Sequence, residues 1–242
     1  MIFSRIVYSS ILVGLVTGVL LSCLQMTSLN PIIFAAESYQ QGMGDAHAGH
    51  GHDHDAHGWM PADGFERTAY TVLANVLLGT GFAAVMLALM NLYRLTRGRA
   101  ISWSQGSLWG LAGYAAVFLA PALGLPPEIP GASTAPLEHR QIWWLLTALS
   151  ACVGIAVLAF APPRIKVTGL LFLVIPYVVG APAVDRPVFQ HPDVEVVQEL
   201  ARLHQQFIVA SGVTNLVFWL CLGLACRYCF NRWLLVPATG NS

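Results

Sequence analysis

Six apolar stretches, each close to the roughly 20 residues that a helix needs to cross a bilayer, leave this chain little alternative to a membrane. They run from Ile6 to Met26, Tyr70 to Tyr93, Gly106 to Leu125, Ile142 to Ala161, Val167 to Ala183 and Phe207 to Cys226, the fifth being the shortest. Only 10% of the 242 residues are charged, against about a quarter in soluble domains. The fold class expected is all-α: a polytopic membrane helix bundle of about six transmembrane helices. The formal net charge of zero gives no basis for a nucleic-acid partner.

Orientation follows from the positive charges, because cytoplasmic loops carry the excess of Lys and Arg. With the N-terminus inside, Arg5, Arg94, Arg97, Arg99, Arg164, Lys166, Arg227 and Arg232 fall at inner ends, and Arg67, Arg140, Arg186 and Arg202 fall outside. All twelve acidic residues and all eight histidines then lie on the outer side. An outer face lined in this way raises the local concentration of cations. The expected organisation is a first membrane helix over 1–26, a periplasmic loop over 27–69, a five-helix bundle over 70–226 and a cytoplasmic tail over 227–242.

The outer loop carries the strongest chemical signal. Asp45-Ala-His-Ala-Gly-His-Gly-His-Asp-His-Asp-Ala-His57 sets five histidines and three aspartates among small, flexible residues. Imidazole nitrogen and carboxylate oxygen suit borderline divalent metals, and such a run has little reason to fold alone. On an extended chain His50, His52 and His54 project to one side, with Asp53 and Asp55 on the other. His47, His57 and Asp45 complete the set. The pattern points to capture rather than catalysis, and the plainer account is a solvated segment with incidental metal affinity.

A second group of ligand candidates stands near helix mouths: Asp63, Glu66, Glu138, His139 and His204, with His191 nearby. Ionisable groups at membrane depth are costly unless paired or hydrated, which marks them for function. Glu66 beside Arg67 and Glu138 beside Arg140 are equally read as ordinary interfacial charges. Pro121, Pro126, Pro127 and Pro130 forbid a regular helix where the third span ends, and Pro176 kinks the fifth, freeing a carbonyl that must find another partner. Val194 to Leu203 has apolar residues at helical spacing and reads as a short surface helix. Asn75, Thr80, Thr214 and Asn215 read as hydrogen-bond partners between helices.

Five cysteines, none in an outer loop away from the membrane, imply no disulfide framework, and Cys226-x-x-Cys229 without a second pair is a weak metal signal. Arg5 followed by Leu20-Leu21-Ser22-Cys23 makes a passable lipoprotein-like cleavage pattern, in which Leu21 is an uncommon choice. Gly14 and Gly18 form a small-xxx-small pair, the signature of a closely packed membrane helix. No nucleotide loop or catalytic triad is present, so the chain reads as a non-enzyme, and any pumping draws on a gradient or on a second protein.

Taken in order, the His/Asp loop, Trp59-Met-Pro-Ala-Asp-Gly-Phe-Glu-Arg-Thr-Ala-Tyr70, Leu108-Trp-Gly-Leu-Ala-Gly-Tyr114, Leu119-Ala-Pro-Ala-Leu-Gly-Leu-Pro-Pro-Glu-Ile-Pro-Gly131, Arg140-Gln-Ile-Trp-Trp144 and Ile175-Pro-Tyr-Val-Val-Gly-Ala-Pro182 resemble CbtA, a family of predicted cobalt transporter subunits. The resemblance covers nearly the whole chain. It implies a bacterial inner-membrane protein for cobalt uptake, linked to cobalamin synthesis. It also implies a small partner subunit with one membrane helix and its own histidines. On this reading Co(II) is the transported ion, with no permanently bound cofactor, and Ni(II) or Zn(II) would suit the same ligands. The rival from the residues alone is a membrane-anchored metal-binding or delivery protein without transport activity. A haem-binding redox protein would want histidines within the spans, where none lies.

Overall fold

The apolar runs are helical in the computed structural model, which describes residues 2–46, 64–98 and 100–235, with no strand among them. The helices are α1 (Ile2–Ser28), α2 (Asn30–Ala46), α3 (Phe65–Arg97), α4 (Trp103–Gly113), α5 (Ala120–Gly124), α6 (Leu137–Phe160), α7 (Lys166–Val179) and α8 (Val194–Cys229). Among the described residues five helical stretches are long and apolar enough to cross a membrane: Ile2–Ser28, Phe65–Arg97, Trp103–Gly124, Leu137–Phe160 and Val194–Leu234. The sixth expected span contains α7, whose 14 residues rise only about 21 Å against a hydrocarbon thickness of about 30 Å.

Two compact units share the chain. The first comprises the described residues of Met1–Gln25, Gly51–Leu111 and Leu216–Ser242. Here the small-xxx-small pair sets the packing of α1 on α3. A Cβ on Gly14 would lie 2.1 Å from Thr80 Oγ1, and one on Gly18 would lie 2.5 Å from Val76 Cα, so only glycine permits this approach. One turn beyond Gly18 the same pair of helices is joined by polar groups: Asn75 Nδ2 donates to Ser22 Oγ at 3.0 Å and to Gln25 Oε1 at 2.7 Å. Asn75 therefore bonds between helices as expected, whereas Thr80 turns back to the Val76 carbonyl of its own helix. Gly98, left-handed at φ 68°, ends α3 by donating its N–H to the Arg94 carbonyl.

The second unit comprises the described residues of Met26–His50 and Ala112–Asn215. Its main helix pair is α6 with α7, which approach at Gly154 and Gly169: a Cβ on either would come within 2.9 Å of the other's carbonyl oxygen. Pro176 cannot donate to the carbonyl four residues earlier, and that carbonyl, on Phe172, accepts Ser150 Oγ from α6 at 2.6 Å. The freed group thus has the partner that the sequence requires. Trp143 Nε1 donates to the Pro176 carbonyl at 3.1 Å, fixing the far end of α7 to the same helix.

Proline acts differently in the third span. The helix does not stop at Pro121: it passes through a π-helical stretch, Tyr114–Leu119, and resumes as α5 with Pro121 in its first turn. The wider i→i+5 register, seen in the Ala120 N–H bonding the Ala115 carbonyl, accommodates a residue that has no donor. Irregular chain begins only after Gly124, where Pro126, Pro127 and Pro130 follow in close succession.

Two segments differ from the sequence reading. The start of the segment expected as an outer loop, 27–69, is helical: Pro31 occupies the first turn of α2, and Ile32, Ala35, Ala36 and Tyr39 make an apolar stripe that packs on Ile129, Phe189, Leu200 and Leu203. Val194 to Leu203 is not a separate surface helix but the opening turns of α8. At 36 residues α8 extends about 54 Å and outruns the hydrocarbon layer, so its first turns serve the cluster around Ala36.

Candidate metal entry site

The proline-rich loop after α5 and the first turn of α6 close around a cavity of about 340 Å³ in the second unit. Its apolar wall is built by Val117, Phe118, Leu125 and Trp144, and its polar end by Glu128, Arg140 and Gln141. The π-helical stretch supplies Val117 and Phe118, so the distorted register forms one side of the cavity.

Arg140 reaches across the mouth to Glu128, with Nη2 and Oε2 in ion-pair contact at 2.5 Å. Both side chains are less than a third exposed, so the pair is held in a partly dehydrated setting. The Arg140 Nε is buried and has no hydrogen-bond partner among the described residues, which leaves one guanidinium donor for a bound ligand or water. His204, from α8, is half-buried. Its Nε2 sits 3.1 Å from the Pro127 carbonyl, and its ring meets Phe189 edge to face at 5.6 Å. Burial pushes the Glu128 carboxyl above its ordinary value, while the charges of Arg140 and His204 pull it back.

A carboxylate, an imidazole and the Pro127 carbonyl at one mouth are groups of the kind that replace water around a divalent cation. Arg140 favours the ionised carboxylate, but burial outweighs it and the carboxyl stays above its ordinary value.

The ligand candidates from the sequence are distributed unevenly. His204 joins Glu128 at the mouth through the Pro127 carbonyl. Glu138 and His139 lie in the first turns of α6 with exposed side chains, and Arg140 pairs with Glu128 instead of Glu138. Glu66 stands in the first turn of α3, in the first unit. Asp45 falls in the last turn of α2. His47, His50, His52, His54, His57, Asp53, Asp55 and Asp63 lie outside the described residues. Among the described residues no three His, Cys, Asp or Glu side chains gather closely enough to hold a metal ion.

Glu128 is the functional candidate that residue-by-residue reading passes over, since by charge alone it is one acid among twelve. The signal is in the motifs. Glu128 sits in Pro126-Pro127-Glu128-Ile129-Pro130, Arg140 opens Arg140-Gln-Ile-Trp-Trp144, and both segments line the cavity. Cys226 and Cys229, by contrast, are buried among helices, with Cys226 Sγ 3.9 Å from the Ala83 carbonyl.

Comparison with known proteins identifies the family of the chain. Curated proteins and solved structures yield no match. A family model described as "Probable cobalt transporter subunit (CbtA)" matches residues 3–231, which takes in all of α1 but its first residue, the His/Asp run, the proline loop, the Arg140 segment and all of α8. The chain therefore belongs to the CbtA family of probable cobalt transporter subunits.

Proposed function

We propose that this multi-pass membrane protein takes up Co(II) from the outer side of a bacterial inner membrane in two steps. The His/Asp run from Asp45 to His57 captures the ion, and the mouth at Glu128 and His204 receives it. One observation carries the second step: α2 packs through Ala36 onto Ile129, next to Glu128, and onto Leu203, next to His204, and it ends at Ala46, one residue before the first histidine of the run. The helix that leads into the capture run thus belongs to the same unit as the mouth. Asp63, Glu66, Glu138 and His139 serve as outer carboxylates and imidazole that draw the cation in. Hydrated Co(II) exchanges water for protein oxygen and nitrogen, with no redox change. A small single-helix partner with its own histidines completes the assembly, and a gradient or a further protein supplies the energy.

The test is entry of metal into liposomes containing the purified chain, with and without that partner, comparing Co(II) with Ni(II) and Zn(II). Accumulation of Co(II) above protein-free liposomes supports the reading. Tight binding with no entry under any imposed gradient would transfer the chain to the class of anchored metal-binding or delivery proteins.

A further inference from the structure

A second cavity, of about 500 Å³, opens in the first unit between the start of α1 and the π-helical turn Phe230–Leu234 that follows α8. It is lined by Arg5, Tyr8, Ser9, Leu12, Arg232 and Trp233. Arg5 Nη1 donates to the Trp233 carbonyl at 3.0 Å, which ties the two walls together. No Asp or Glu occurs in 1–36, 67–127 or 200–242, so the chain brings no acidic side chain of its own into either wall.

We propose that this cavity binds the phosphate of an anionic phospholipid. Two guanidiniums facing one cavity offer the forked donor geometry that matches phosphate oxygens, and the Tyr8 hydroxyl adds a donor beside them. Arg5, Tyr8 and Leu12 follow at i, i+3 and i+7 on one face of α1, a run of about 10 Å from charge to hydrocarbon. Tyr8, Leu12 and Trp233 are all well exposed, at 73%, 43% and 39%, and present an amphipathic strip of the kind found at headgroup depth. A free phosphate would use only the arginine end and leave that strip uncovered, whereas a lipid fills both parts. By the distribution of basic residues this end faces the cytoplasmic leaflet, where anionic headgroups reward each nearby arginine.

The test uses the full chain in lipid nanodiscs and reads quenching of Trp233, isolated as the difference between wild type and Trp233→Phe, by lipids carrying brominated acyl chains. Brominated phosphatidylglycerol should quench more strongly than brominated phosphatidylcholine at equal mole fraction. In native mass spectrometry the preference for phosphatidylglycerol should fall about fivefold for each of Arg5→Gln and Arg232→Gln, while Arg94→Gln and Arg97→Gln, on another helix, keep it. Equal quenching by both lipids in the unmutated chain would overturn the assignment without reliance on any variant. Inorganic phosphate that displaces phosphatidylglycerol at comparable concentration would instead assign the cavity to the free anion and overturn the lipid.

Discussion

Arg140 bypasses Glu138, two residues away on its own helix, and pairs with Glu128 of the proline loop. Burial holds the Glu128 carboxyl above its ordinary value. The native state therefore binds that proton more tightly than the unfolded chain, and the contribution to stability falls as pH rises from the unfolded to the folded value. For transport the requirement runs the other way, because only the ionised form pairs with Arg140 or with a metal. Co(II) entry should decline on acidification at a higher pH than an unperturbed carboxylate would give, and Glu128→Gln should be low throughout and lack that inflection. Identical pH profiles for the two proteins would remove Glu128 from the mouth.

Replacing His47, His50, His52, His54 and His57 together by alanine should lower uptake at scarce Co(II) and leave uptake at abundant Co(II) close to normal, because capture matters only when the ion is limiting. Radiometric uptake over a range of concentrations checks this. Unchanged accumulation at the lowest concentration would take the run out of the mechanism.

The glycine contacts predict a contrast within one helix pair. Gly14→Ala places a methyl group 2.1 Å from Thr80 Oγ1 and within 2.5 Å of its backbone, whereas Gly81→Ala meets open space. The first should cost about 1–3 kcal/mol of stability, as overpacking does, and the second should be neutral or slightly stabilising. Thermal unfolding in detergent separates them, and equal melting temperatures would show that α1 does not lie against α3 as described.

Ser150 and Pro176 should be coupled. Ser150→Ala leaves the Phe172 carbonyl without its donor, at a cost of about 1–3 kcal/mol. Pro176→Ala restores a backbone N–H four residues after Phe172, so the serine substitution should cost much less in that background. A double-mutant cycle reads the difference; strict additivity would mean that the hydroxyl is not replacing the bond that proline removes.

Reporter fusions after Ser102, Arg164 and Asp193 should read inside, inside and outside. An outside signal at Arg164 would invert the arrangement inferred from the basic residues and leave the 14-residue α7 without a role in returning the chain to the outer face.

Much of this fold is legible in the sequence because lipid imposes a simple requirement: apolar length becomes helix, and small residues at four-residue spacing become contacts. Gly14 with Gly18 and the orphaned carbonyl before Pro176 follow from spacing alone. The start of the outer loop is hidden by its neighbours, since the stripe Ile32, Ala35, Ala36 and Tyr39 is short and runs directly into the polar His/Asp segment. The site is harder. Glu128 and Arg140 are separated by twelve positions, and nothing in either segment states which of several nearby acids the guanidinium will choose. That choice is made by the turn of chain through Pro126, Pro127 and Pro130, which aims the Glu128 carboxylate back at α6.

The burial of Ala36 bears on rates as well as on architecture. From that anchor about 15 Å of helix leads to Ala46, and the histidine run follows at once. Under the proposed route, an ion held by the run searches for the mouth within a volume set by this short tether, no longer through bulk solution. The second encounter becomes intramolecular, which raises the effective concentration of the ion at the mouth. Ligands that individually grip the metal only briefly can then feed the mouth, because release occurs beside the acceptor and not into the surrounding water.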